Sequence, residues 1–345
     1  MGKVVRLSLL LFFLGLMIMI LVVYRMYGKI FVSNVSLPDA PAIIYLPQGA
    51  TFPELLDSLQ GKGALVDEEA FVWVARKKKF GETIKPGRFK ITDGMSNNDL
   101  VNMFRSGRQD PVMVVFNNIR TLDQLAGKVS RYLEGDSAAF ADWLLQEDLP
   151  GTYGFRKETF PAMFLPNTYS FYWTSSPQEF CERMHTEYLR FWEGDRDRKA
   201  EKIGLSREEV STLASIVEEE TLHSEENRRV AGVYMNRLEN GIPLQADPTL
   251  KFALGDFGRQ RILNVDKAIE SPYNTYKYKG LPPGPIRLPS IEAVDAVLDY
   301  EKHKYLYFCA KSDFSGNHAF ARTLAEHGRN AREYQRALDR RRIYR

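Results

Sequence analysis

The sequence predicts an α+β protein: a single N-terminal transmembrane helix, a small strand/helix domain, and a larger α+β body. Three observations predict it. Leu7 to Tyr24, "LSLLLFFLGLMIMILVVY", runs 18 residues without a charge. A strand–turn–helix pattern then recurs between Ile43 and Leu133. Beyond it capped amphipathic helices dominate, and two strand-like runs, "KYLYFCAK" and "GNHAFAR", come near the end. At 345 residues there is room for two domains. An apolar content of 44% with 26% charged residues argues against a large disordered fraction.

The opening run is close to the ~20 residues that cross a bilayer. It exceeds the roughly 7–15 apolar residues of a cleavable signal, and no small-x-small cleavage site precedes "RMYGKIF". An uncleaved anchor is the expectation, with a processed signal peptide as the alternative. Lys3 and Arg6 nearly match Arg25 and Lys29 across the run, so positive charge barely orients it. Ser33 to Pro41 is polar and Pro-bearing, as a linker is. In "IIYLPQGATFPELLDSLQGKG" (Ile43 to Gly63) a strand leads through a Gly turn to a Thr N-cap and a helix closed by Gly. "RFKITDGMSNNDLVNMFRSG" (Arg88 to Gly107) repeats this with Ser96 as the cap. A looser copy, "VMVVFNNIRTLDQLAGKVSRYL", carries Thr121 in the capping position. These units resemble the LysM-type module, which binds N-acetylated glycans; a spacer without a ligand is the alternative. Ala138 to Asp197 is rich in aromatic residues that mostly read as core. "FLPNTYSFYW" (Phe164 to Trp173) is a candidate cleft wall, because Pro, Asn and Thr interrupt its strand character.

Several chemistries are disfavoured. The 47 basic and 44 acidic side chains are interleaved and sum to +3, unlike the basic face of a nucleic-acid binder. "RKKK" (Arg76 to Lys79) and "DRRRIYR" (Asp339 to Arg345) are exceptions that read as solvated faces able to touch an acidic polymer or a lipid surface. Cys181 and Cys309 lack metal-ligand spacing and read as buried thiols or one bridge. No HExxH pair, GxxxxGK[ST] loop or GxGxxG after a strand is present, so no metal, nucleotide or other cofactor is expected.

The most informative stretch is "LASIVEEETLHSEE" (Leu213 to Glu226). Ser206 opens "SREEV", a capping box, so a helix starts at Arg207. Leu213, Ile216 and Val217 form its apolar stripe, and the next position on that face is Glu220. Glu219 points away from the stripe as a solvated residue, and Glu218 lies at its margin. A carboxyl standing where a leucine belongs is desolvated, its pKa rises, and it stays protonated near neutral pH. That is what a general acid for a glycosidic oxygen needs. A frayed helix end, or a buried ion pair with Arg228 or Arg237, is the alternative reading. A second helix, capped by Ser224, carries the stripe Val230, Val233, Tyr234 and Leu238 and leaves Glu220 near the tip of a helical hairpin.

Downstream, Asp247 before Pro248 reads as an N-cap with Pro at N1, whereas the Gln245 amide is free for sugar hydroxyls or an acetamido group. The Pro-rich loop "SPYNTYKYKGLPPGPIRLP" presents Tyr273, Asn274, Tyr276 and Tyr278, which suit the wall of a glycan cleft, with a Pro-stiffened surface loop pinned by its own tyrosines as the alternative. His318 lies on the second late strand.

"LASIVEEET", "VYMNRL", "PLQADPT", "YNTYKYKGLPPGPI", "YLYFCA" and "HAFARTLAEH", in this order and spacing, resemble the membrane-anchored endolytic murein transglycosylases, the MltG or YceG-like family. The resemblance implies a YceG-like catalytic domain over residues 111–345. Before it would come a LysM-like domain at 42–110, a linker at 25–41, an anchor at 7–24 and a short cytoplasmic end at 1–6. The body would lie on the periplasmic side of the inner membrane and cut peptidoglycan strands internally between MurNAc and GlcNAc. By the same resemblance Glu220 acts as acid and then base, leaving a 1,6-anhydroMurNAc end and limiting strand elongation alongside peptidoglycan synthases. Glu218, Gln245, Asp247, Asn274, Tyr276 and His318 would line the substrate cleft. The chain departs from the family pattern at Asn167, where Asp is usual, at Pro161-Ala162, where Glu-Gly is usual, and at Gly328, where Asn is usual. A hydrolytic muramidase and a non-catalytic glycan-binding scaffold remain alternatives.

Overall fold

The computed structural model describes residues 2–341 other than 38, 82–83, 222 and 260, so the last four residues of the basic C-terminal run lie outside the described residues. The chain forms two compact units. One holds Met1–Met113 with Tyr132–Glu134 and Ser170–Ser175, and the other holds Val114–Arg131, Gly135–Tyr169 and Ser176–Arg345.

The first unit begins with α1 (Lys3–Phe31), whose most apolar window is not buried against the rest of the protein. This helix is longer than the uncharged run because nothing in 25–31 breaks it, and Ile30 packs against the core of the unit. Residues 25–31, expected as linker, are therefore helical. The polar segment after them is fixed as well. Asn34 and Val35 donate backbone N–H bonds to the Met95 carbonyl at 3.0 and 3.1 Å, and the Asn34 amide reaches the Asp67 carbonyl at 2.7 Å. A buried asparagine seeks backbone partners, and its bonds turn a nominal linker into part of the fold.

Next come β1 (Ala42–Leu46), α2 (Phe52–Gly61), α3 (Glu68–Lys77), β2 (Gly87–Ile91) and α4 (Asn97–Ser106). β1 and β2 pair antiparallel, Ala42 opposite Ile91 and Leu46 opposite Gly87. Alternation turns Ala42, Ile44 and Leu46 inward onto Leu55, Leu59, Phe71 and Phe104. Thr51 and Ser96 both close capping boxes, with Glu54 and Asp99. Gly107 ends α4 at φ 69°, a left-handed conformation that costs glycine little. The repeat seen in the sequence is present, but α3, capped by Asp67, lies between its copies, and the "RKKK" run is the end of that helix.

The chain continues through β3 (Val112–Phe116), α5 (Leu122–Val129), α6 (Ser137–Leu144), α7 (Leu149–Thr152), β4 (Asn167–Phe171), α8 (Pro177–Trp192) and α9 (Asp195–Ile203). The "FLPNTYSFYW" segment is core on one face only, with Asn167, Thr168, Ser170 and Tyr172 exposed. Phe164, Tyr169 and Phe171 are buried, and the Tyr169 hydroxyl donates to the Leu165 carbonyl at 2.7 Å. Then follow α10 (Arg207–Glu220), α11 (Asn227–Glu239), α12 (Asp247–Leu254), α13 (Ile291–Leu298), the antiparallel pair β5 (Tyr307–Ala310) and β6 (His318–Ala321), and α14 (Leu324–Arg340). α10 is the buried axis of the second unit. Every residue from Val210 to Val217 is buried, and α11, α12 and α13 pack around it. Burying Leu213, Ile216 and Val217 stabilises the helix by about 1.5–3 kcal/mol each. Cys181, buried on α8, and Cys309, on β5, are free thiols, so the bridged reading is overturned.

Candidate active site

The capping box at Ser206 fixes where α10 starts, and its length then places Glu220 as the last helical residue. The apolar phase brings its carboxyl inward. The Tyr234 hydroxyl on α11 donates to Glu220 Oε1 at 2.8 Å. Neither arginine offered by the sequence reading takes this role. Arg228 donates to the Asp299 carbonyl at 2.6 Å. Arg237 donates to the carbonyls of Leu306 at 2.7 Å and Leu244 at 2.6 Å.

Burial pushes the Glu220 pKa up to about 7. The Tyr234 hydrogen bond opposes the rise, Asp247 adds to it, and Arg237 and Lys251 reduce it. The negative end of α10 also disfavours a carboxylate here. Oε1 accepts from the phenol, which leaves Oε2 free to carry the acid proton. The outcome is a carboxyl half-buried by residue exposure and half-protonated near neutrality, opening into a cavity of about 380 Å³.

That cavity collects residues from five further elements, Leu324 and His327 of α14 among them. Tyr234 and Arg237 come from α11, Asp247 from the start of α12, Phe308 from β5 and His318 from β6. Gln245 and Tyr276 join them from the connecting segments. Gln245 is exposed, with its backbone at φ 51° and its N–H donating to the Thr275 carbonyl at 3.0 Å. This fixed backbone leaves the amide side chain for a ligand.

Asp247 does not cap α12. Ala246 occupies the N-cap, Asp247 is the first helical residue, and its Oδ1 accepts the Tyr276 hydroxyl at 2.5 Å. The capping role read from "DP" is thereby corrected: the carboxylate turns to the cavity because a phenol across it supplies the partner. Lys267 Nζ lies 4.7 Å from the Tyr276 ring centroid. His318 is held through Nδ1, 2.8 Å from Glu226 Oε2, while its backbone N–H lies 3.1 Å from each Glu226 oxygen. This leaves Nε2 for the cavity.

Two of the expected cleft residues lie elsewhere. Asn274 is fully buried. Its amide donates to the carbonyls of Lys267 and Ile269, and its oxygen accepts from the N–H groups of Tyr276 and Lys277. With its hydrogen-bonding capacity spent, Asn274 shapes the loop that presents Tyr276 instead of touching substrate. Glu218 accepts the Ser290 N–H at 2.9 Å at the head of α13 and lies 3.6 Å from Arg287 Nε, so it braces the scaffold. Glu219 is also reassigned. It is not a solvated residue: Arg120 Nη2 meets both its oxygens at 2.9 Å and Arg287 Nη1 meets Oε1 at 2.7 Å.

The sequence reading passed over Tyr234 and Glu226 as functional residues. A signal for Tyr234 existed, since a phenol in an otherwise apolar stripe needs a buried acceptor. Glu226 carried none, because Ser224 read as a helix cap; in fact Ser224–Glu226 forms a 3-10 turn that points Glu226 toward β6.

Residues 44–333 match the model of the YceG-like family. A protein of Bacillus subtilis (strain 168) named endolytic murein transglycosylase is 27% identical over 325 residues, covering 90% of this chain and 89% of that protein. One of the same name from Streptococcus pneumoniae (R6) is 28% identical over 347 residues; the match covers 89% of this chain and 62% of that longer protein. A YceG-like protein of Listeria monocytogenes, known from a 2.6 Å crystal structure, is 25% identical with a TM-score of 0.53, covering 84% of this chain and 98% of that one.

Proposed function

This chain belongs to the YceG-like family, and from that premise we propose that it is a lytic transglycosylase cleaving peptidoglycan glycan strands, with Glu220 as its acid. The single observation that carries the reading is one carboxyl, desolvated to a pKa of about 7 and hydrogen-bonded to a phenol, in a cavity that also presents Gln245, Asp247, Tyr276 and His318. Glu220 protonates the leaving O4 from Oε2, the C1–O4 bond breaks, and the substrate's 2-acetamido group eases the charge at C1. The Glu220 carboxylate then takes the proton of the C6 hydroxyl as that oxygen bonds to C1, which closes a 1,6-anhydro end and restores the acid. Gln245, Asp247, Tyr276 and His318 hold the sugars. In the wider reading α1 anchors the protein in the cytoplasmic membrane with the second unit outside. Residues 42–110, from β1 through α4, then act as a LysM-like module, and cleavage limits nascent strands beside the synthases.

One observation favours hydrolysis as a second reading. Asp247 brings another carboxylate to the same cavity, and a carboxylate pair serves ordinary glycosidases. Mass analysis of the products of full-length protein on purified sacculi separates the two. Anhydro ends, lighter by one water, are the expected product. Reducing ends in their place would assign a muramidase, and no cleavage would leave the scaffold reading.

The acid must be protonated, so the cleavage rate should fall as pH rises through about 7. Tyr234→Phe removes the bond that holds the pKa down and should move this descending limb to higher pH. Asp247→Asn removes the charge that holds it up and should move the limb lower, while still accepting from Tyr276. Initial rates on sacculi across pH measure both shifts. Movement of the two limbs in the same direction would contradict the assigned electrostatics.

A further inference from the structure

We propose that the groove between the end of α1 and α3 binds the headgroup of an anionic phospholipid. The inference rests on reading α1 as a membrane anchor. The uncharged run Leu7 to Tyr24 rises about 27 Å as a helix, close to the ~30 Å hydrocarbon core. Arg25 to Phe31 continue the same helix by about 10 Å, which sets them at the level of the headgroups.

At that level the first unit holds a groove of about 620 Å³. Its walls include Arg25, Gly28 and Lys29 from α1, Val32 just past its end, Val66 just before α3 and Ala70 in the first turn of α3. Gly28 leaves the floor open, since a Cβ built there meets nothing within 4 Å. Val32 and Val66 are exposed, so the groove offers apolar surface beside basic groups for a phosphate. Beyond Arg25 and Lys29, the basic residues lie at the far end of α3, whose first turn is acidic with Glu68 and Glu69. Lys29 and Lys77 both sit over the Trp73 ring, 5.7 and 5.8 Å from its centroid, and Arg76 and Lys79 are exposed at the end of α3. Basic residues beside an indole are what an anionic membrane surface attracts. Asp67, the acid in the lining, caps α3 by accepting the Ala70 N–H at 2.9 Å.

The walls are tied together before any lipid arrives. Asn97 donates to the Lys29 carbonyl at 2.9 Å, and Asn34 donates to Asn97 Oδ1 and accepts the Asp67 N–H, both at 2.7 Å. A generic charged collar on a membrane helix has no such fixed cavity.

The test uses full-length protein reconstituted in phosphatidylcholine vesicles containing phosphatidylglycerol, followed by native mass spectrometry of the lipid retained after detergent extraction. Wild type should keep one phosphatidylglycerol per chain, with a preference over phosphatidylcholine of about tenfold. Gly28→Leu, which fills the floor and keeps every charge, should abolish that preference. Arg25→Gln with Lys29→Gln, which keeps the space, should do the same. Arg6→Gln, at the other end of α1, should not. Unchanged retention in Gly28→Leu, or equal retention of both lipids by wild type, would overturn the site. Displacement of the lipid by millimolar inorganic phosphate would show a soluble-anion site and overturn it too. Alkaline carbonate extraction of native membranes tests the anchor separately, since release of wild type into the soluble fraction would remove the premise and not merely the site.

Discussion

Replacing Glu220 by glutamine should lower the rate of glycan-strand cleavage by roughly 10²–10⁴-fold, the contribution of a positioned general acid. The amide keeps the shape of the side chain and still accepts the Tyr234 hydroxyl through its oxygen, so the cavity survives. What it lacks is a proton to give. The measurement is anhydro-end release from sacculi at pH 6, where most wild-type molecules carry the acid protonated at a pKa of about 7. Sacculus binding should persist in the variant. Stability provides an internal check. The folded-state pKa lies above the ordinary glutamate value of 4.5, so the wild-type contribution is intact below 4.5 and is lost as pH rises through about 7. The Gln variant should therefore gain on wild type in thermal melts above pH 7 and show no such gain below pH 4.5. Wild-type activity in the variant would remove Glu220 from the chemistry, and a comparable loss in Glu218→Gln with Glu220 intact would transfer the role to that residue.

Glu219→Ala should cost about 2–4 kcal/mol of stability, toward the range for breaking a buried ion pair and reduced for partial exposure. The side chains of Glu219 and Arg287 are 15% and 10% exposed, and that of Arg120 is 29% exposed. Removing the carboxylate leaves two guanidinium groups facing each other across the place it occupied, one of them nearly out of water. Among the described residues, Arg287 keeps Asn118 at 3.0 Å and Glu218 at 3.6 Å. A solvated helix residue, as the sequence alone reads Glu219, would change stability by no more than about 0.5 kcal/mol. Urea midpoints at matched pH separate the two: a midpoint within that narrow range would restore the solvated reading. Because Glu219 neighbours Glu220 on α10, the variant should also cleave more slowly, through a displaced helix end, with its pH limb still near 7.

The helical phase of Leu213, Ile216 and Val217 places Glu220 on the buried face, and the Ser206 capping box fixes the start of the helix that carries it. The strand–Gly–cap–helix repeat, both late strands and the apolar N-terminal run are legible in the same local way. Each rests on a period or a cap within a few residues, which backbone geometry reads directly. The partners of those residues are not local. Tyr234 meets Glu220 from 14 positions away, Tyr276 meets Asp247 from 29, His318 meets Glu226 from 92, and Arg120 meets Glu219 from 99. Only the tertiary structure decided that Asn274 is spent on its own loop, that Glu218 and Glu219 brace the scaffold, and that Asp247 faces the cavity instead of capping its helix. A polar side chain takes the hydrogen-bonding partner that packing brings within about 3 Å, and no periodicity in the chain encodes which one that is.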